Sequence, residues 1–297
     1  MKVVLTGATG FIGSKLVARL LDAGHEITAL GRKKSANLPA SVRFTSWESS
    51  SEPSPESLEG AHAIVNLAGE PVAQRWNAEV KRRIRASRVE GTRNLVQALA
   101  KLSARPSILI NASAIGYYGH RNDEMLTESS APGADFLASV TRDWELAAEK
   151  AGRFGTRVAK LRIGIVLGRQ GALAQMLPVF RAGIGGRLGS GRQWMSWIHI
   201  DDLVSLILFA LDNPETRGAL NGTAPNPVRN AEFSLILGEV LHRPAIFPTP
   251  AILIKAMFGE MSTVILASQR VLPEAALAAG FHFKYPELKP ALAEILR

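Results

Sequence analysis

Through the first half of the chain, short apolar runs rich in β-branched residues alternate with longer windows in which apolar residues recur every three or four positions. The short runs predict strands near Val3–Thr6, Glu26–Leu30, Val42–Thr45, Ala63–Leu67, Ser107–Ala112 and Arg157–Ile163. The windows predict helices over Phe11–Ala23, Ala78–Lys101 and Asp135–Gly152. Gly24 stands where the first helix should end in a left-handed cap, directly before the second strand. Strands joined through helices imply a doubly wound parallel α/β sheet.

After Ile163 the pattern changes. Glycine-rich stretches at Gly164–Gly171 and Gly183–Gly191 precede a strand-like Met195–Ile200 and a helix opening at Asp201-Asp202. From Asn221 onward prolines punctuate short helical segments, which predicts a smaller, mainly helical C-terminal domain on the substrate side. The expected division is 1–165 for nucleotide binding, with 195–215 packing back on it, and 166–297 for the substrate-side and C-terminal domain.

Composition removes several alternatives. At 297 residues and 46% hydrophobic content the chain can bury a full core. The apolar run Leu203–Leu211 falls far short of the roughly 20 residues that span a bilayer, and Met1-Lys2 leads straight into a strand without a leader pattern. A cytoplasmic protein without a membrane partner is expected. With no cysteine and six scattered histidines, neither a disulfide framework, a thiol nucleophile nor a metal site is expected. The net charge of +9 suits phosphorylated ligands and nucleic acid alike. However, the densest basic cluster, Lys81–Arg88, lacks the aromatic residues that base stacking requires, so no nucleic-acid partner is expected.

The strongest chemical signal is Thr6-Gly7-Ala8-Thr9-Gly10-Phe11-Ile12-Gly13, three glycines at three-residue spacing that leave a strand and open a helix. Gly7 permits the tight turn, Gly10 admits a pyrophosphate to the backbone and Gly13 lets helix and sheet pack closely, while the helix N-terminus offers N–H donors. This is the signature of a Rossmann dinucleotide site. An NAD-preferring site places a carboxylate at the end of the second strand to hold the ribose 2′-hydroxyl. Here the chain reads Gly31-Arg32-Lys33-Lys34, and a guanidinium beside an ammonium suits a 2′-phosphate, so the expected cofactor is NADP(H). Leu67, Ala68 and Gly69 at the fourth strand's end, and Ala112 at the fifth, are the expected walls of the groove.

These motifs occur in order with Asn111-Ala112-Ser113-Ala114, Tyr117-Tyr118-Gly119, Leu161-Arg162-Ile163-Gly164 and Trp197–Leu203. Together they resemble the extended short-chain dehydrogenase/reductases, the group that contains nucleotide-sugar epimerases. Arg75-Trp76, Ser87-Arg88, Gly189-Ser190-Gly191 with Gln193, and Gly280-Phe281-His282-Phe283 narrow the likeness to the atypical epimerase-family proteins, which carry a C-terminal domain of unknown function. The resemblance implies a tyrosine followed four residues later by lysine on the helix after Ser113. Of three tyrosines, Tyr117 and Tyr118 are followed at that spacing by Arg121 and Asn122, and Tyr285-Lys289 lies in the proline-bounded tail. Alignment on Glu145 puts Leu137 and Thr141 at the two positions.

Ser113 and Tyr117 are therefore the candidate catalytic residues, positioning substrate while water or a substrate group completes proton transfer. Trp76, Arg88, Arg162, Gln193 and Trp197 are candidate substrate contacts. The expected function is an NADP(H)-dependent oxidoreductase or epimerase-like enzyme on a small polar substrate, with a non-catalytic NADP(H)-binding redox sensor as the alternative. A monomer or homodimer is expected.

Overall fold

The computed structural model describes residues 1–297 and contains one seven-stranded parallel sheet. Its strands are β1 (Lys2–Thr6), β2 (Glu26–Gly31), β3 (Arg43–Ser46), β4 (Ala63–Asn66), β5 (Ile108–Ala114), β6 (Arg157–Ile163) and β7 (Gly218–Gly222), in the order β7-β6-β5-β4-β1-β2-β3. The order reverses between β1 and β4, and a crevice opens at the carboxyl ends of the strands at such a switch point. Six of the strands match the pattern read from the sequence to within a residue or two. The seventh, Gly-Ala-Leu-Asn-Gly, has no β-branched residue to announce it. It is held by parallel pairing with β6 and by the close approach of Gly222, where a Cβ would stand 3.2 Å from Leu203 and 3.3 Å from Leu161.

Side chains alternate between the two faces of the sheet, as a strand requires. Val3 and Leu5 join a core with Leu16, Val17 and Leu20 of α1 (Phe11–Asp22), whereas Val4 joins a second core with Leu95 and Leu99 of α2 (Ala78–Ala100). Ala148 of α3 (Phe136–Glu149) completes that second face. Asn77 and Asp135 cap α2 and α3, accepting hydrogen bonds from Val80 N at 2.8 Å and Ala138 N at 2.9 Å.

The chain beyond β6 builds a third core from α4 (Gly171–Arg181), α6 (Asn230–Leu241) and α8 (Leu288–Ile295), with Trp197 at its centre. α5 (Ile200–Asp212) instead returns to the first core through Leu203, Val204 and Ile207. Short strand pairs stitch the parts together: Ile165–Leu167 with Trp197–His199, Trp194–Met195 with Val228–Arg229, and Met125–Leu126 with Arg270–Val271. α7 (Ala251–Phe258) lies between α6 and α8 in sequence. No helix is long and apolar enough to cross a membrane.

Candidate functional site

The glycine loop leaves β1 at the switch point. Gly7 has φ +71°, and a Cβ there would meet the Leu67 carbonyl carbon at 2.9 Å. A Cβ at Gly13 would stand 2.1 Å from the Gly7 oxygen, so α1 can begin this close to the turn only as glycine. Gly10 forms the N-cap and has no side chain to satisfy the first-turn donors, and no acidic residue stands in that turn. The result is a helix N-terminus with donors and positive dipole directed outward beside a wall free of side chains. Thr9 is exposed, and Ile12 is partly buried against the first core. The Phe11 ring packs against Gly168 and Gly171, where an added Cβ would stand 2.6 and 3.3 Å from it, so its ring is committed to the start of α4.

The opposite wall is fixed from below. Thr6 Oγ1 accepts from the Leu67 and Ala68 amides at 3.1 and 3.0 Å and donates to Asn66 Oδ1 at 2.6 Å. Asn66 Nδ2 donates to Thr92 and Asn111, and Trp144 Nε1 donates to Thr92. Thr6 is thus an anchor for the Leu67-Ala68-Gly69 turn. Ala112 is buried beside Val89 and Trp144. At the edge of the groove Arg32, Lys33 and Lys34 are exposed, and none is in an ion pair.

Arg88 reaches back from α2 under Gly69, where a Cβ would stand 3.0 Å from its Cζ. It donates to the carbonyls of Glu70 at 2.9 Å and Ile84 at 3.2 Å and lies 5.3 Å from the Trp144 ring centre. Burial pushes its pKa down to about 10, partly offset by the charge of Glu70, which leaves a cation at neutral pH without a salt-bridging carboxylate.

The reaction side is organised differently. Ser113 Oγ is buried and donates to Glu145 Oε1 at 2.7 Å. Glu145, also buried, takes a bidentate pair from Arg162 at 2.8 and 2.9 Å. The same guanidinium donates to the Tyr118 hydroxyl at 2.9 Å and the Glu128 carbonyl at 3.1 Å, and Tyr118 donates to Asn221 Oδ1 at 2.7 Å. Burial works against the Arg162 charge, but hydrogen bonds and attraction from Glu145 outweigh it and hold its pKa above the usual guanidinium value. Burial pushes the Tyr118 phenol up to about 12 against the opposing pull of Arg162.

Tyr117 lies flat on this knot, its ring centre 3.5 Å from Arg162 Cζ, and its hydroxyl makes no hydrogen bond within the chain. Leu137 packs against Gly116, and Thr141 Oγ1 donates to the Leu137 and Ala138 carbonyls. Tyr285 stacks on His199 at 4.0 Å and Lys289 pairs with Glu239, so neither approaches the groove as a pair.

The remaining expected contacts turn inward. Trp76 donates to Val72 O at 2.9 Å and packs edge-on to Phe136 among Val80, Ile84 and Met261. Gln193 is buried and donates to Leu188 O. Trp197 is 0% exposed in the third core and donates to Asn226 O. Arg162 is 3% exposed and committed to Glu145. Residues that the sequence did not single out as functional close the knot: Glu145, Asn221, Glu128 through its Asn221 N contact, and Gln269, which ties the Ile115 and Gly119 carbonyls.

Residues 3–221 match the model of the NAD dependent epimerase/dehydratase family, and residues 249–295 match a domain of unknown function, DUF1731. The chain is 46% identical over 310 residues to the chloroplastic epimerase family protein SDR39U1 homolog of Arabidopsis thaliana, covering all of this chain and 87% of the relative. It is 35% identical to epimerase family protein YfhF of Bacillus subtilis, covering 100% and 98%. Human epimerase family protein SDR39U1 (isoform 2), crystallised with NADPH, superposes with a TM-score of 0.90 at 36% identity, covering 99% of each chain.

Proposed function

Because the chain belongs to the NAD dependent epimerase/dehydratase family, we propose that it is an NADP(H)-dependent oxidoreductase or epimerase-like enzyme acting on a small polar substrate. The observation that carries the cofactor assignment is the combination of an uncapped glycine-opened helix and three unpaired cations, Arg32, Lys33 and Lys34, at the end of β2. Its fit to this dinucleotide agrees with the human relative, which holds NADPH. When bound, the cofactor supplies or accepts a hydride; the chain's own residues must orient the substrate and manage the accompanying proton.

Hydroxyl groups on the reaction side differ in their freedom. Ser113 donates to Glu145, Tyr118 to Asn221 and Thr141 to backbone, whereas the Tyr117 phenol has no partner in the chain. Tyr117 is accordingly the hydrogen-bond donor to a substrate oxygen, with the Arg162 charge beneath its ring offsetting negative charge that gathers on the phenol oxygen. Ser113 is a positioning residue that acts through Glu145, and Arg88 is a cation ready for an anionic group of substrate or cofactor.

The first test is calorimetric titration with NADPH, NADP, NADH and NAD, followed by NADPH oxidation with a panel of carbonyl compounds. Tyr117→Phe is expected to lower turnover by about 100-fold or more and to leave NADPH affinity unchanged. Undiminished turnover would remove Tyr117 from the reaction. A second reading, a redox sensor, is favoured by the mutual satisfaction of Ser113, Glu145, Arg162 and Tyr118 and by the apolar Leu137. It predicts different affinities for NADPH and NADP with no substrate-dependent consumption of either.

A further inference from the structure

The C-terminal domain exposes apolar side chains that a soluble surface normally buries. α7 reads Ala-Ile-Leu-Ile-Lys-Ala-Met-Phe, yet of these residues only Ile254 is fully buried; Ile252 is 80% exposed, Met257 58% and Leu253 49%. The segment before it adds Ile246 at 70% and Phe247 at 51%, and the glycine-rich turn after α4 adds Ile184 at 59%.

Backbone contacts join the turn after α4 to the segment that leads into α7. Phe247 N donates to Gly185 O at 3.1 Å, Thr249 N to Arg187 O at 2.9 Å and Gly189 N to Thr249 O at 2.8 Å. Gly186 lies so close to Phe247 that a Cβ there would stand 2.3 Å from its carbonyl oxygen. Arg243 Nε donates to Arg181 O at 3.1 Å.

The charge of this surface is mostly of one sign: Glu239 and Glu260 stand at its margins, paired with Lys289 and Lys81. Neither Gly171–Arg192 nor His242–Gly259 contains an aspartate or glutamate, while together they carry Arg181, Arg187, Arg192, Arg243 and Lys255. All five are exposed, and none is in an ion pair. A two-fold contact through this face would set these cations against their own copies, which argues against a second chain as its cover. Exposed apolar residues with a fringe of unpaired cations, and acids only at the margins already paired with lysines, are complementary to a surface that is apolar below and anionic above.

We propose that this face, built from α7 and the segments 181–192 and 242–250, binds the surface of an anionic lipid bilayer. Ile246, Phe247, Ile252, Leu253 and Met257 enter the boundary between headgroups and acyl chains, and the arginines and Lys255 lie among the headgroup phosphates. The chain has no spanning helix and associates from one side, which departs from the expectation of no membrane partner.

The test is sedimentation of the full-length protein with vesicles of phosphatidylcholine alone and of equal parts phosphatidylcholine and phosphatidylglycerol. The protein is expected to bind the mixed vesicles at least tenfold more tightly, with affinity falling as salt is raised. The double substitution Ile252→Glu and Leu253→Glu should weaken that binding by tenfold or more. Both side chains are already exposed, so thermal unfolding and NADPH titration of the variant should match the parent. Lys255→Glu with Arg243→Glu should give a smaller loss confined to the anionic vesicles. Failure to bind the mixed vesicles, equal binding to both vesicle types or binding indifferent to the double substitution would overturn the proposal. So would a concentration-dependent dimer that this substitution dissolves, because the cover would then be a second copy.

Discussion

The two sides of the nucleotide groove differ in what they leave unsatisfied. The cofactor wall is made of absences: glycines where a Cβ would strike backbone, an uncapped helix start and cations without carboxylates. The reaction wall is made of fulfilled groups, with Ser113, Glu145, Arg162, Tyr118 and Asn221 each holding the next. A wall of open donors is built to receive a ligand, and its exposed cations, unlike its glycines, can be altered at modest cost to the fold. A buried polar knot holds the fold itself, and its members cannot be removed singly without stranding a charge. The difference sets open groups on one side against rigidity on the other, with the Tyr117 phenol as the polar group that the second side leaves open.

Breaking the knot should give the largest effect. Glu145→Ala would leave Arg162 buried without its carboxylate, and losing one partner of a buried pair costs about 3–5 kcal/mol. Denaturant unfolding should show that loss, and NADPH affinity of the remaining folded protein should change little. A loss under about 1 kcal/mol would mean that water or the Glu128 carboxylate, now turned to Asn221 N, reaches Arg162 and that the wall is not closed.

The next effect appears only in alkali. Tyr118 titrates at about 12 in the folded chain and near 10 when unfolded, so the native state holds its proton more tightly. Its contribution is complete below the unfolded value and is lost as pH rises through the folded one, roughly 2–3 kcal/mol across that window. Tyr118→Phe should flatten this alkaline decline while lowering stability at neutral pH, since Asn221 and Arg162 each lose a partner. A parent stability curve that is flat between those two values would refute the burial argument.

Gly13→Ala tests the other wall. Its Cβ would lie 2.1 Å from the Gly7 oxygen, so the start of α1 must move, at about 1–3 kcal/mol. The functional effect should exceed the structural one, with dinucleotide binding lost in calorimetry from a protein that still folds. Retained affinity would show that the loop relaxes without disturbing its donors.

Legibility in the sequence follows the same division. The cofactor wall is written in consecutive residues, because a turn, a helix start and a basic strand end are local events. The glycine spacing and Gly31-Arg32-Lys33 could therefore be read directly. The knot could not be read this way: Glu145 meets Ser113 from 32 positions away and Arg162 from 17, and Asn221 arrives from a strand that lacks β-branched residues. Arg162 and Trp197 invited a substrate role because large polar and aromatic residues suit ligands, yet each is spent on the interior. Phe11 has the right place in the loop, but Gly168 and Gly171 draw its ring away, a contact that no local pattern announces.

The smallest predicted change sharpens the contrast most, because it should touch one ligand phosphate and nothing else. Arg32 is exposed, makes no side-chain hydrogen bond and pairs with no carboxylate, so Arg32→Ala should leave the unfolding temperature unchanged within a degree or so. A charge-assisted contact to a 2′-phosphate contributes about 1.5–3 kcal/mol, which corresponds to roughly a 10- to 150-fold loss of NADPH affinity. NADH, which lacks that phosphate, should bind the variant and the parent alike. If both dinucleotides weaken together, Arg32 acts on the groove as a whole; if neither does, Lys33 and Lys34 carry the phosphate and the open cations of β2 are interchangeable.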